Sequence, residues 1–131
     1  VCADITAQPG ASKWFAGGLV AYTDGLKQGW LGVPADRIAR FGAVSAEVVQ
    51  SLLEGAPEEF AWVWAESGIY GPGGARPGKP VGTIWTGVRL PDGRMLTERL
   101  QMSGSREQMR RDITARAACG LSEHMSLSTG R

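Results

Sequence analysis

Two runs rich in apolar and β-branched residues, 81–90 and 94–102, are separated only by Pro91-Asp92-Gly93. An Asp-Gly step between two such runs signals a β-hairpin, so the chain commits early to an antiparallel strand pair. A sheet has an apolar face that something else must cover. The residues upstream supply candidates. Ser45 reads as the cap of a helix with Val48, Val49, Leu52 and Leu53 on one face, and Pro34 opens a shorter helix reaching about Ala39. Phe60-Ala61-Trp62-Val63-Trp64-Ala65 is the strongest further strand, and a glycine-rich loop follows it from Gly68 to Gly78. Gly18-Leu19-Val20-Ala21-Tyr22 reads as a buried strand ended by Thr23-Asp24-Gly25. Ser105-Arg106-Glu107-Gln108 fits a capping box that opens a last helix through about Cys119. Residues 1–6 read as the tail of a helix, and residues 7–12 as a loop by their Pro-Gly punctuation. Strands and helices in mixed order predict an α/β layered domain containing one antiparallel hairpin.

Composition narrows the function classes. A chain of 131 residues is expected to form one domain, residues 1–131, around one core. Fourteen basic side chains against thirteen acidic ones, with no basic block, exclude broad nucleic-acid binding by charge alone. A hydrophobic content of 43% excludes disorder, and no apolar run approaches the ~18 residues of a membrane span. Cys2 and Cys119 cannot build a disulfide framework, which points to a reduced, cytoplasmic setting. His124 is the single histidine, so neither a His-rich metal site nor a His-based triad is expected. The chain starts at Val1 without a visible signal peptide, and reads as a fragment or a processed product. The five tryptophans, Trp14, Trp30, Trp62, Trp64 and Trp85, read mostly as core or interface.

Without a catalytic histidine, a serine paired with a lysine is the natural hydrolytic option. Tyr22 and Lys27 lie where the 18–22 strand would run into a turn; Ser12 precedes them, and Ser67 follows the Phe60–Ala65 run. On composition alone, the plain alternative is a surface lysine and a half-buried core tyrosine. In Gly68-Ile69-Tyr70-Gly71-Pro72-Gly73-Gly74, glycines after a strand let backbone N–H groups approach an anion, although a plain long turn has the same composition. Arg106, Arg110 and Arg111 fall in the first turns of the last helix, whose amino end favours anions. Solvated arginines are the commoner outcome there.

The order of these motifs carries a resemblance. Pro9-Gly10-Ala11-Ser12-Lys13-Trp14-Phe15, Gly18-Leu19-Val20-Ala21-Tyr22 with Lys27, and Leu31-Gly32-Val33 resemble the CinA C-terminal domain family. Gly42-Ala43-Val44-Ser45, Ser67-Gly68-Ile69-Tyr70-Gly71-Pro72-Gly73-Gly74, Lys79-Pro80-Val81-Gly82-Thr83-Ile84-Trp85 and Gly104-Ser105-Arg106-Glu107 with Arg110 continue it in order, over roughly residues 1–118. The resemblance implies a three-layer α/β/α sandwich with a mixed sheet, and hydrolysis of the carboxamide of nicotinamide mononucleotide to nicotinate mononucleotide and ammonia. It implies a small-molecule nucleotide as partner, a homo-oligomer as the assembled form, and no cofactor. By the same resemblance Ser12 matches the nucleophile, Lys27 the general base and Tyr22 a hydroxyl that orients or transfers protons. Ser67 would contact the reacting group, Gly68, Gly71 and Gly73 would cradle the ligand, and Arg106 or Arg110 would meet the phosphate.

The chain also departs from the family pattern. Tyr70 replaces a small residue, Phe41 stands where the family often has His, and Ser105 replaces an Asp that caps equally well. An amino-terminal helix and strand, with a Glu-Ser-x-Thr-Gly-Gly turn, are missing. Residues 126–131 loosely resemble that turn, which under a circular permutation would make 121–125 the absent strand and Ser126 the second pocket serine. The plainer reading is a frayed polar tail. A catalytically silent nucleotide-binding or regulatory domain of the same fold therefore stands beside the amidase.

Overall fold

The computed structural model describes the backbone of residues 1–129 and the side chains of residues 1–120. In chain order the elements are α1 (Cys2–Thr6), one 3-10 turn (Ala11–Lys13), α2 (Asp24–Leu31), α3 (Ala35–Phe41) and α4 (Ala46–Glu54). Then come β1 (Val63–Gly68), β2 (Thr83–Arg89), β3 (Met95–Gln101) and α5 (Arg106–Thr129).

The hairpin forms where the sequence places it. Thr83 pairs with Gln101 and Arg89 with Met95. At the turn Gly93 takes φ +84°, the Leu90 N–H donates to the Arg94 carbonyl at 2.8 Å, and Asp92 Oδ1 accepts the Arg94 N–H at 3.0 Å. The Arg94 side chain adds a bond from Nε to Asp92 Oδ2 at 2.7 Å, and the backbone and side-chain bonds together hold the exposed Asp92 carboxyl below the usual carboxylate range. β1 joins the other edge of β2, with Val63 opposite Arg89 and Gly68 opposite Ile84.

Helix α4 lies across one face of this sheet. Ser45 Oγ accepts the Val48 N–H at 3.3 Å, and Val48, Val49 and Leu53 are completely buried. Gly87 makes the close approach possible, since a Cβ there would come within 2.8 Å of Val49 Cγ1 and 3.0 Å of Leu53 Cδ1. The carboxyl end of α4 is closed by buried Arg89. Its Nη1 donates to the Leu53 and Ala56 carbonyls, both at 2.9 Å, and its Nη2 to those of Pro57 at 2.6 Å and Phe60 at 3.3 Å. Carbonyls at a helix end lack helical partners, and the dipole there favours a cation. α2 and α3 pack against α4.

Strand alternation sends Glu66, Thr86 and Glu98 to the opposite face, where they are paired across the sheet. α5 covers that side, with Met109, Ile113 and Ala117 buried and Arg116 reaching Glu98 at 3.2 Å. Helices on both faces of a sheet give the α/β fold its three layers. No helix among the described residues is long and apolar enough to cross a membrane.

Three expectations require correction. The sequence predicts a mixed sheet, but the pairings among the described residues are all antiparallel. The difference lies in residues 18–22, which form no strand; with no described strand beside them, Leu19, Val20 and Tyr22 are 51%, 76% and 76% exposed. The Thr23-Asp24-Gly25 step is no strand-ending turn but the start of α2, where Thr23 Oγ1 accepts the Leu26 N–H at 3.2 Å. Residues 121–125, the strand of a permuted chain, belong to α5, and the Ser126 side chain lies outside the described residues.

Candidate active site

Ser12 sits in the 3-10 turn that follows left-handed Gly10 at φ +85°. Its exposed side chain borders a shallow depression lined by Thr6, Gln8, Phe15 and Gly17. Lys27 lies on α2 and is buried, an unusual setting for a lysine without partners. The partners are close: its amine donates to Asp24 Oδ1 at 3.3 Å and to the Tyr22 carbonyl at 3.4 Å. Tyr22 therefore meets Lys27 through its backbone, while its phenol points away into solvent. No hydrogen bond among the described residues joins the Lys27 amine to the Ser12 or Ser67 hydroxyl.

Ser67 belongs to the α4 side of β1. Its hydroxyl donates to the Ala43 carbonyl at 2.9 Å. Lys79 works on the same loop from the far end of the glycine-rich segment, its amine donating to the Phe41 carbonyl and, at 2.7 Å, to that of Val44. Three hydrogen bonds from two side chains thus tie residues 41–44 to the sheet and to the glycine loop. Sequence reasoning did not single out this lysine; a cation between glycine and proline in a long turn carries no periodic signal.

The glycine loop begins one residue later and turns to the α5 side. A Cβ on Gly68 would come within 2.8 Å of Ile84 Cγ1 and 2.9 Å of the Tyr70 ring. Gly71 has φ +75°, and a Cβ there would lie 2.7 Å from Val81 Cγ1. Glycine is required at both positions, whereas Gly73 faces open space. Arg106, at the start of α5, donates from Nη1 to the Gly71 carbonyl at 3.1 Å, and its guanidinium stands 5.9 Å from the Tyr70 ring centre. Arg106 and the glycine loop are therefore neighbours, with four further N–H donors on that guanidinium left for other partners.

Glu66 is a second charged group that sequence reasoning did not single out. It accepts the Tyr70 hydroxyl at 2.7 Å. Burial holds its carboxyl above the usual carboxylate range, against the opposing pull of the Tyr70 bond, the chain's amino terminus and Arg110. Burial and the adjacent Glu66 push the Tyr70 phenol far above the ordinary tyrosine range, so it stays a donor at any working pH. The signal was available, since Glu66 is the one charged residue in the apolar run from Trp62 to Ile69. Arg110 is exposed on α5 and reaches this pair through its charge.

Comparison with known proteins bears on this arrangement. The CinA C-terminal domain model matches residues 1–125. The chain is 42% identical over 120 residues to nicotinamide-nucleotide amidohydrolase PncC of Pseudomonas putida, a match covering 89% of this chain and 74% of that protein. It is 41% identical over 116 residues to a CinA-like protein of Mycolicibacterium gilvum, covering 87% of this chain and 28% of that one. The chain thus spans about three quarters of the first relative and under a third of the second. The fold is similar to that of competence damage-inducible protein A from Klebsiella pneumoniae, with a TM-score of 0.88 and 29% identity over 95% of this chain and 78% of that one. It is also similar to the competence/damage inducible protein of Agrobacterium tumefaciens, with a TM-score of 0.76 and 30% identity over 80% and 66% of the two chains.

Proposed function

The chain belongs to the CinA C-terminal domain family, and on that footing we propose that it is an amidohydrolase converting nicotinamide mononucleotide to nicotinate mononucleotide and ammonia. The observation that carries the reading is its 42% identity to a protein described as a nicotinamide-nucleotide amidohydrolase. The residues present supply the parts such a reaction needs. Ser12 attacks the carboxamide carbon as its proton passes to Lys27, and a tetrahedral oxyanion forms. Collapse expels the nitrogen, which takes a proton and leaves as ammonia. Water then adds to the resulting ester, and cleavage frees the carboxylate and regenerates the Ser12 hydroxyl. Backbone N–H groups of the loop at Gly68, Gly71 and Gly73 face the oxyanion, a contribution worth about 3–4 kcal/mol where one such donor is removed. Arg106 and Arg110 receive the phosphate at the amino end of α5.

Lys27 imposes a condition on this scheme. A base needs a free electron pair, so the lysine must surrender its proton and its contact with Asp24 before it can serve Ser12. Ser12 must also approach it. These requirements are what favours the second reading, a silent domain that binds the nucleotide without turning it over. Incubation with nicotinamide mononucleotide separates the two. The amidase reading expects equimolar ammonia and nicotinate mononucleotide; saturable binding with no product would establish the silent domain instead.

A further inference from the structure

Glu66 and Ser67 are adjacent on β1 yet serve opposite faces of the sheet. Ser67 bonds the loop before α4, and Glu66 faces Thr86 beneath α5. What Glu66 holds is a chain of contacts that ends on the glycine loop. Its carboxylate takes the Tyr70 hydroxyl at 2.7 Å, and the Tyr70 ring lies against Gly68, where no side chain could fit. The Arg106 guanidinium stands over the same ring and donates to the Gly71 carbonyl at 3.1 Å. Gly71 in turn is pressed against Val81 in a left-handed conformation. The loop is therefore clamped between the sheet and the start of α5, through one carboxylate, one phenol and one guanidinium.

We infer that Glu66 is a positioning residue that, through Tyr70 and Arg106, holds the glycine loop in the form that receives the phosphate-bearing ligand. The inference rests on the reading of that loop as the ligand cradle. Remove the carboxylate and a half-buried phenol loses its acceptor, which is costly enough to move the ring. A displaced ring takes away the surface under Arg106, and with it the alignment of Arg106 on Gly71. The arginine would then have to be re-ordered by the ligand, at the expense of affinity. Ser67 keeps its partner throughout, because Ala43 lies across the sheet. The reorganisation therefore falls first on binding, and reaches the chemical step only through the loop N–H groups that face the oxyanion. The bond also explains the orientation of Tyr70, whose ring turns to the α5 side.

The test compares Glu66→Ala, Glu66→Gln and Tyr70→Phe with the wild-type protein by two readouts. The first is amide exchange of residues 70–78 in the ligand-free protein; the second is the steady-state kinetics of nicotinamide mononucleotide hydrolysis. Glu66→Ala and Tyr70→Phe are expected to speed exchange in the loop and to raise KM, each by about tenfold, with a smaller fall in kcat because the same loop faces the oxyanion. Glu66→Gln keeps an oxygen that accepts the phenol, so it is expected to restore both readouts to near the wild-type values. Tyr70→Phe removes a single oxygen and covers the case in which Glu66→Ala fails to fold. Unchanged exchange in both truncating variants, a Glu66→Gln protein that behaves like Glu66→Ala, or a loss confined to kcat would each overturn the inference. A wild-type protein without turnover would defeat the amidase reading, while loop exchange would still decide this one.

Discussion

At the scale of single residues, three charged groups sit where charge is expensive. Lys27 meets that expense with Asp24 and a backbone carbonyl, and Arg89 meets it with four carbonyls. Glu66 meets it only in part, and its carboxyl stays above the usual carboxylate range because burial outweighs the Tyr70 bond. The sign of the resulting pH effect follows from linkage. A carboxyl whose folded pKa lies above its unfolded value of ~4.3 stabilises the fold fully below that value, and the contribution is lost as pH rises through the folded pKa. Glutamine is neutral throughout and keeps an acceptor for Tyr70. Glu66→Gln is therefore expected to gain stability relative to wild type as pH rises from about 4 to 7. Paired thermal melts at the two pH values check it. A stability difference that does not change with pH would show that the carboxyl ionises as freely in the fold as out of it.

At the scale of elements, α4 and the sheet are the structural centre, and Arg89 is the rivet between them. Replacing Arg89 with alanine strands the Leu53 carbonyl in the last turn of α4 and those of Ala56, Pro57 and Phe60 in the loop after it, and is expected to cost about 2–4 kcal/mol in a denaturant titration. A loss under about 0.5 kcal/mol, the size of an ordinary surface substitution, would deny it that role. The elements around this centre were also the legible ones. Ser45 with its apolar face, and Asp92-Gly93 between two strands, are local signals that tertiary contacts reinforce. Ser105 likewise takes the Gln108 N–H at 3.2 Å as a cap should, although the Gln108 amide turns to Asp112 and leaves the box half made. α2 was missed because Gly25 and Gly29 lower its helix propensity. Its real markers are the Thr23 cap and Gly32 at φ +63°, which stops the helix. β1 runs from Val63 to Gly68, later than its apolar run, because the partner strand sets its limits. Residues 18–22 have a strand's composition but no described strand beside them to pair with, and pairing is not written in composition.

At the scale of the whole molecule, the groups assigned to ligand and chemistry lie on both sides of one small sheet. Ser67 and Lys79 work on the α4 side, Glu66, Tyr70 and Arg106 on the α5 side, and the glycine loop passes between them at the end of β1. Family resemblance pointed to Ser67, Arg106 and the glycine loop, whereas Lys79 and Glu66 enter only through the hydrogen bonds they make. The proposed hydrolysis of a nicotinamide nucleotide depends on Lys27 moving the proton. The most direct measurement follows ammonia release from nicotinamide mononucleotide by the wild-type and Lys27→Ala proteins side by side, with nucleotide affinity measured on both. The account predicts turnover by the wild type, a fall of about 10²–10⁴-fold in kcat for Lys27→Ala, and nucleotide affinity largely retained. A wild-type protein that binds without releasing ammonia, or a Lys27→Ala protein at full rate, would contradict it.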